Sequence, residues 1–377
     1  MTFRNRALVL TGGGARGAYQ AGVLKYIGEN IPDAHFETLI GSSSGAINIA
    51  GLASHGGVLK NAGPAVANLW QNLEMNQVFR TDALALSKNG MRWIYDLLLG
   101  GILGRPLAHN LVDTKPLRDL MEGIYRPEVV KEALASGLLR NVAVSATEVY
   151  TGSLVTFIQS QEKKLWQRAR RRSESTVLGV DHIMASAAIP LLFPSVLVNN
   201  RRYVDGCIRS TSPLGPATRL GAEKILAIGV RRYYMRETGN LHEFGTPTPE
   251  PKPSMAQLGA LVLNSLFAES LDADVEHLER LNAILPQQRE GSFGMRQVNS
   301  LVIRPSEDLG EMARHFTKQI PPLVRFLLRG LGSERGKSSD MLSYLLFVPG
   351  YLSTLVELGY ADARAEHDRL AQFLLGD

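Results

Sequence analysis

The segment GSSSG at residues 41–45 has the residue types needed for nucleophilic catalysis. Ser43 is the centre of a G-x-S-x-G pattern between a short apolar run, which predicts a strand, and a small-residue run, which predicts a helix. In that context the pattern is typical of a nucleophile elbow, and Gly41 and Gly45 leave room for the neighbouring strand and helix. The amino end of the helix favours alkoxide character on Ser43. The alternative is a flexible serine loop.

A glycine-rich segment at residues 12–17 admits two interpretations. Its spacing fits the G-x-G-x-x-G turn that binds a dinucleotide, which would indicate an NAD(P)-binding oxidoreductase. Such a site favours an acidic residue at the end of the second strand, and this chain has none there. The amides of Gly12, Gly13 and Gly14 precede Ser43 by 29 to 31 residues and suit the oxyanion of a tetrahedral intermediate. We favour an oxyanion hole and keep the redox enzyme as the alternative.

Ser43 needs a base, and the best candidate is an aspartate. None of the eight histidines lies in a pattern that singles it out. Asp205 follows an apolar strand, precedes Gly206, and would share the carboxyl edge of a sheet with Ser43 if their strands were parallel neighbours. A carboxylate with an ordinary pKa of ~3.9 is a weak base for a serine, so burial has to raise that pKa or nearby dipoles have to activate the hydroxyl. The prediction is a Ser-Asp dyad in a dry site.

Four blocks of the sequence, taken in order, resemble the patatin-like phospholipase family. They are GGGARG at 12–17, GSSSG at 41–45, ASAAIP at 185–190 and DG at 205–206. The resemblance implies a three-layer α/β/α sandwich with a mainly parallel central sheet. It also implies hydrolysis of phospholipids or other lipid esters by Ser43 and Asp205, with the glycine amides as oxyanion hole and without a metal or other cofactor.

Two further residues acquire an interpretation from this resemblance. Arg16 matches the family's arginine in the glycine-rich block and is expected to bind substrate or anion near the oxyanion hole; an exposed helix arginine is the alternative. Cys207 stands where glycine or alanine usually follows the DG pair, and we interpret it as a small buried filler. A lipid-binding protein without catalysis is the remaining alternative to a lipid hydrolase.

The elements that position these residues follow an α/β pattern. Strands are predicted at residues 7–10, 36–40, 141–146, 154–159, 224–230 and 300–304, with helical patterns between them. A hairpin is predicted at 195–206 and turns at Asn199 and Asn200. We predict a catalytic domain at 1–306 with a proline-rich excursion at 237–254, and a C-terminal helical extension at 307–377 packed on it.

Composition and charge limit the setting and the partners. The 377 residues are 45% hydrophobic and 20% charged, as in a soluble folded protein, and the single cysteine favours a cytoplasmic setting. Neither a signal peptide nor a transmembrane helix is predicted, and residues 93–107 are a candidate lid or membrane-touching helix. The basic run at 163–172 predicts a helix face, either solvated or against anionic lipid headgroups. Nucleic acid is not predicted as a partner, and the sequence sets no oligomeric state.

Overall fold

The fold is described from a computed structural model over residues 5–80, 112–162, 164–210, 213–232, 271–285, 296–321 and 339–376. In this part of the chain ten strands form one sheet. The strands are β1 (Arg6–Leu10), β2 (Thr38–Ser42), β3 (Asn141–Glu148), β4 (Leu154–Ser160), β5 (Gln167–Arg168), β6 (Arg171–Ser175), β7 (Val196–Val198), β8 (Arg201–Asp205), β9 (Lys224–Ile228) and β10 (Asn299–Ile303).

Helices connect and cover these strands. The α-helices are α1 (Gly17–Asn30), α2 (Ser44–Ala53), α3 (Leu59–Gln71), α4 (Met75–Val78), α5 (Lys115–Ile124), α6 (Pro127–Ala135), α7 (Val180–Ser186), α8 (Gly215–Arg219), α9 (Leu271–Ile284), α10 (Leu309–Ala313), α11 (Ser339–Leu345), α12 (Pro349–Ala365) and α13 (His367–Leu375). Shorter 3-10 turns occur at Gly14–Arg16, Gly206–Ile208 and Arg314–Gln319. In the described residues no helix has the length and apolar character that crossing a membrane requires.

The sheet is mainly parallel. Its strand order is β10-β9-β1-β2-β3-β4-β6-β5, and the first five of these strands run parallel to one another. β4 is antiparallel to β3, and β7 and β8 form the predicted hairpin, with Asn199 at φ 47° and Asn200 at φ 61°. All six predicted strands are present, so the α/β fold with a mainly parallel central sheet is confirmed.

Helices pack on both faces of the sheet because its strands alternate their apolar side chains. From β1, Leu8 and Leu10 join a core formed with α1, α2, α3 and α12. Ala7 and Val9 point the other way and join a smaller core with α8 and α9. Strands buried on both sides read as continuous apolar runs, which is why the short run at residues 7–10 predicted a strand correctly. The result is the expected three-layer arrangement.

Helix α12 crosses α1 with their backbones in contact. A Cβ atom at Gly22 of α1 would lie 2.0 Å from the carbonyl oxygen of Val356, and one at Gly359 of α12 would lie 2.1 Å from that of Tyr19. Any larger residue at either glycine would force the helices apart. The helices after residue 339 therefore share the main core with α1, while the division of the chain at residue 306 stays a prediction.

The basic run at residues 163–172 is not a helix, so that prediction was wrong. Its described residues form β5, a turn with Arg170 at φ 58°, and the start of β6. The run has no apolar spacing of helical period, and β6 hydrogen-bonds to the free edge of β4. The predictions for residues 93–107 and 237–254 lie outside the described residues.

Candidate active site

Ser43 forms the sharp turn between β2 and α2. Its backbone has φ 53° and ψ −125°, a conformation that residues with side chains rarely adopt and that costs about 1–3 kcal/mol. The turn is held from outside, because Ser43 N donates to Ser186 Oγ at 3.0 Å and that hydroxyl donates to the carbonyl oxygen of Ser145 at 2.7 Å. Ser186 lies in the ASAAIP block, and sequence reasoning gave it no role.

The two flanking glycines are required by space. A Cβ atom at Gly41 would lie 2.4 Å from the carbonyl oxygen of Gly45, and one at Gly45 would lie 2.2 Å from the carbonyl oxygen of Leu10. Both contacts are far shorter than a carbon and an oxygen tolerate. The elbow can therefore form only with glycine at both positions, in agreement with the G-x-S-x-G pattern.

Asp205 reaches Ser43 by a route that the sequence did not predict. Its strand β8 is antiparallel to β3, so the expectation of parallel neighbours was wrong. β4 pairs with one edge of β3 as far as Thr147, and β2 pairs with the other edge only as far as Ser145. β8 continues along this second edge, where Asp205 lies opposite Ala146. The carboxyl group consequently stands just beyond the end of β2, next to the elbow.

The Asp205 carboxyl group lies in an environment unlike that of a surface acid. It is 1% exposed, and this burial raises its pKa to about 6. Hydrogen bonding by the Ser43 side chain and by the amide and thiol of Cys207 lowers the pKa in part. Oδ1 accepts from Cys207 N at 2.8 Å, whereas among the described residues Oδ2 has no hydrogen bond of standard geometry. Oδ2 is therefore available to accept a proton.

The glycine loop lies directly against the nucleophile. A Cβ atom at Gly12 would be 2.6 Å from Ser43 Cβ and 2.3 Å from Cys207 Sγ, so only glycine fits. Gly14 has φ 54° and begins the 3-10 turn that leads into α1. In the described part of the chain, none of the N–H groups of Gly12, Gly13 and Gly14 donates to a protein acceptor. Bare amides next to a serine hydroxyl are the arrangement that an oxyanion hole needs.

Arg16 is buried, so the alternative of an exposed helix arginine is wrong. Its side chain is 2% exposed, Nε donates to Ser343 Oγ at 2.8 Å, and the guanidinium lies 4.2 Å from the centre of the Tyr344 ring. These contacts are a charge-assisted hydrogen bond and a cation–π interaction. Both partners belong to α11, more than 300 residues further along the chain.

The same helix packs on the glycine loop itself. A Cβ atom at Gly14 would lie 2.1 Å from the carbonyl oxygen of Tyr344, and the Tyr344 hydroxyl accepts from Arg231 Nε at 3.1 Å. Sequence reasoning missed Ser343 and Tyr344 as site neighbours. The available signal was the polar Ser343 inside the apolar run MLSYLLF, since a buried polar group needs a partner.

A narrow apolar cavity opens beside Ser43 on the α1–α3 face of the sheet. Almost all of its accessible lining is carbon. Its walls include Ile47, Leu73, Val78, Leu117, Phe193 and Phe347. The cavity reaches Gly14 and Ser43, so an apolar group that enters it would lie beside the serine.

A protein family matches the part of the chain that contains this arrangement. A family model described as Patatin-like phospholipase matches residues 8–218, and no curated protein matches the chain. Among solved structures the chain resembles VipD from Legionella pneumophila at 14% identity and TM-score 0.38, over 97% of this chain and 67% of that one. It resembles human GIVD cytosolic phospholipase A2, solved in complex with methyl gamma-linolenyl fluorophosphonate, at 12% identity and TM-score 0.44, over 99% of this chain and 59% of that one.

A third solved structure is the ExoU-SpcU complex from the type III secretion system of Pseudomonas aeruginosa. It matches at 16% identity and TM-score 0.28, over 97% of this chain and 72% of that chain. The family model covers more than half of the sequence, including the elbow, the glycine loop and Asp205. The chain therefore belongs to the patatin-like phospholipase family, and this membership supports lipid hydrolysis as its activity.

Proposed function

We propose that this chain hydrolyses carboxylic esters of phospholipids or related lipids with Ser43 as nucleophile and Asp205 as base. The observation that carries the proposal is the meeting of three groups at one point. The strained elbow presents Ser43, Gly12 lies against it, and the buried Asp205 has one oxygen without a standard hydrogen bond. The chemistry needs only these groups and water.

In the first half of the reaction Ser43 Oγ attacks the ester carbonyl carbon while Asp205 accepts the hydroxyl proton. A pKa of about 6 leaves Asp205 largely ionised at neutral pH yet more basic than a solvated aspartate. The negative charge that develops on the carbonyl oxygen is stabilised by the amides of Gly12, Gly13 and Gly14. Each such donor contributes on the order of 10² to 10³ in rate.

In the second half Asp205 returns its proton to the leaving alcohol and then activates a water molecule. The water attacks the acyl-serine, and the same amides stabilise the second oxyanion before the fatty acid leaves. Arg16 belongs to the turn that begins at Gly14, and its side chain is buried. We propose that Arg16 favours the charged intermediate, held in position by Ser343.

The apolar cavity supports a lipid substrate rather than a small polar ester. Its lining is almost entirely carbon, and the hydroxyl groups in it belong to Ser43 and Ser44. Burying each methylene of an acyl chain contributes about 0.8 kcal/mol, so the part of the chain that enters the cavity adds to binding. The same argument favours the hydrolase over an NAD(P)-dependent oxidoreductase, whose ligand is polar and highly charged.

The test is mass spectrometry of the products released from a mixed phospholipid extract, together with labelling by a fluorophosphonate probe. Ser43→Ala is expected to abolish both fatty-acid release and labelling, and Asp205→Asn to slow both by about 10³-fold or more. Ser136→Ala, an exposed serine after α6, is the control and should behave as wild type.

Three outcomes would contradict the proposal. Fatty-acid release by Ser43→Ala protein would show that Ser43 is not the nucleophile. Lipid binding by the wild type without labelling would favour a lipid-binding protein without catalysis. Saturable quenching in a nicotinamide fluorescence titration, without ester hydrolysis, would favour the oxidoreductase.

A further inference from the structure

A groove lies on the face of the sheet opposite the acyl cavity, between the β5–β6 hairpin, α8 and α9. Its floor is apolar and belongs to the smaller core, through Leu214, Leu278 and Val298. Its rim is cationic and is formed by Lys164, Arg171, Arg219 and Arg296. These cations come from separate segments of the chain, so the fold brings them together rather than the sequence.

Three arginines around this groove repel one another. Arg168 and Arg171 are directly opposite each other in the β5–β6 ladder, and like charges in that position are destabilising. Arg219 of α8 lies over the Trp166 ring at 5.8 Å. Burial, and then the charges of Arg168 and Arg171, lower the pKa of Arg219. The fold thus concentrates positive charge at a cost to its own stability.

Acidic residues pair with only part of this positive charge. Among the described residues, no carboxylate lies within ion-pair distance of Arg168, Arg219 or Arg296, whereas Arg172 of the same hairpin pairs with Glu148 and Glu174. Two acids lie near these cations, and of the two only Asp274 lines the groove. Glu162 pairs with Lys164, and Asp274 accepts a hydrogen bond from the amide of Leu214.

Nitrogen donors also converge at the bare backbone of Gly221. A Cβ atom there would lie 3.1 Å from Arg296 Nη2, 3.4 Å from Asn5 Nδ2 and 3.6 Å from Lys164 Nζ. Gly221 has φ 92°, which a residue with a side chain would adopt only with strain. The position therefore keeps the space between these nitrogens open.

We propose that this groove binds a ligand with clustered phosphate groups, at a site distinct from that of the ester substrate. Guanidinium groups match phosphate oxygens with paired N–H donors, and several cations held in one groove match several phosphates better than one carboxylate. A lipid headgroup and a soluble polyphosphate share this chemistry. Ser43 does not line the groove. Phosphate binding can therefore be tested independently of the proposed ester hydrolysis.

The experiment measures binding of inorganic tripolyphosphate at fixed ionic strength by calorimetry and by Trp166 fluorescence. The double variant Arg219→Gln/Arg296→Gln removes two exposed arginines of the rim and is expected to bind about tenfold more weakly or worse, because two charge contacts are lost. The control Arg126→Gln/Lys131→Gln removes the same charge from exposed positions near α6 and should stay within about twofold of wild type. Trp166→Phe should abolish the fluorescence change but retain the calorimetric binding.

Vesicles of phosphatidylcholine, with and without phosphatidic acid, identify the source of the phosphate. Binding to both probes supports the shared chemistry, binding to the acidic vesicles alone identifies a headgroup, and binding to tripolyphosphate alone identifies a soluble ligand. The proposal is overturned if neither probe binds, if the two double variants weaken binding equally, or if citrate binds as tightly as tripolyphosphate. Ser43→Ala protein should bind like wild type, which separates this result from any failure of the hydrolase proposal.

Discussion

The carboxyl group of Asp205 is held by Cys207 on one side and faces Ser43 on the other. The amide of Cys207 donates to Oδ1 at 2.8 Å, and the thiol of the same residue adds a hydrogen bond that lowers the pKa. Cys207 is half-buried, and its Sγ lies 2.3 Å from the position that a Cβ atom on Gly12 would take. The sequence suggested a buried filler, whereas the residue is half-buried and its amide holds the carboxylate of the proposed base.

The first prediction concerns the pH dependence of ester hydrolysis. Asp205 accepts a proton only when ionised, so kcat/KM should rise with pH through an apparent pKa of about 6. Cys207→Ala removes the thiol but keeps the amide, so the midpoint should move to higher pH. Cys207→Ser keeps a donor and should stay nearer to wild type. A midpoint unchanged in Cys207→Ala would show that the thiol does not tune the base.

The second prediction is that the proposed base destabilises the fold. Burial raises the pKa of Asp205 from 3.8 to about 6. The protonated carboxyl group therefore contributes to folding stability in full below pH ~4, and this contribution is lost as pH rises through 6. Asp205→Asn should therefore raise the free energy of unfolding at pH 8 by up to about 3 kcal/mol, with a smaller gain at pH 4. Urea denaturation at both pH values measures this difference. Equal effects at the two pH values would contradict it.

The third prediction concerns the space between the nucleophile and the glycine loop. Gly12→Ala puts a methyl group where Ser43 Cβ and Cys207 Sγ leave none, so the loop must move away from the elbow. We expect kcat/KM to fall by about 10² or more. Gly123→Ala is the matched control, because a Cβ atom at this exposed position of α5 meets nothing within 4 Å and should stabilise the helix by about 0.5–1 kcal/mol. Equal activity of the two variants would contradict the role of Gly12.

The fourth prediction concerns acyl-chain length. Ile47 of α2 lines the cavity beside Ser43, and Ile47→Phe should fill part of it. Hydrolysis of p-nitrophenyl palmitate is expected to fall about tenfold or more, while the butyrate ester, which needs little of the cavity, stays within about threefold. Leu358→Phe on α12, half-buried outside this cavity, should change both rates equally. A uniform loss in Ile47→Phe would mean that the acyl chain lies elsewhere.

Local chemistry explains which features the sequence predicted correctly. Asn199 and Asn200 tolerate positive φ, and they form the hairpin turn that their type indicated. Gly41 is imposed by a contact within the elbow, with the carbonyl oxygen of Gly45. The basic run failed for the opposite reason, since Arg171 and its neighbours become a strand only by pairing with β4.

Long-range contacts explain what the sequence could not predict. The antiparallel approach of Asp205 depends on where β2 ends along β3, and no local pattern records that register. The packing of Ser343 on Arg16 joins residues 327 positions apart. Apolar periodicity identified the helices after residue 339 but not the loop that they cover.

This last contact also bears on how the chain matures. During synthesis the glycine loop and the elbow leave the ribosome early, but the residue that fixes Arg16 follows only after 327 more positions have been translated. Contacts of such separation form late, since the intervening loop must first lose its entropy. A nascent chain therefore carries the elbow and the glycine loop before the helix that packs on that loop has been synthesised.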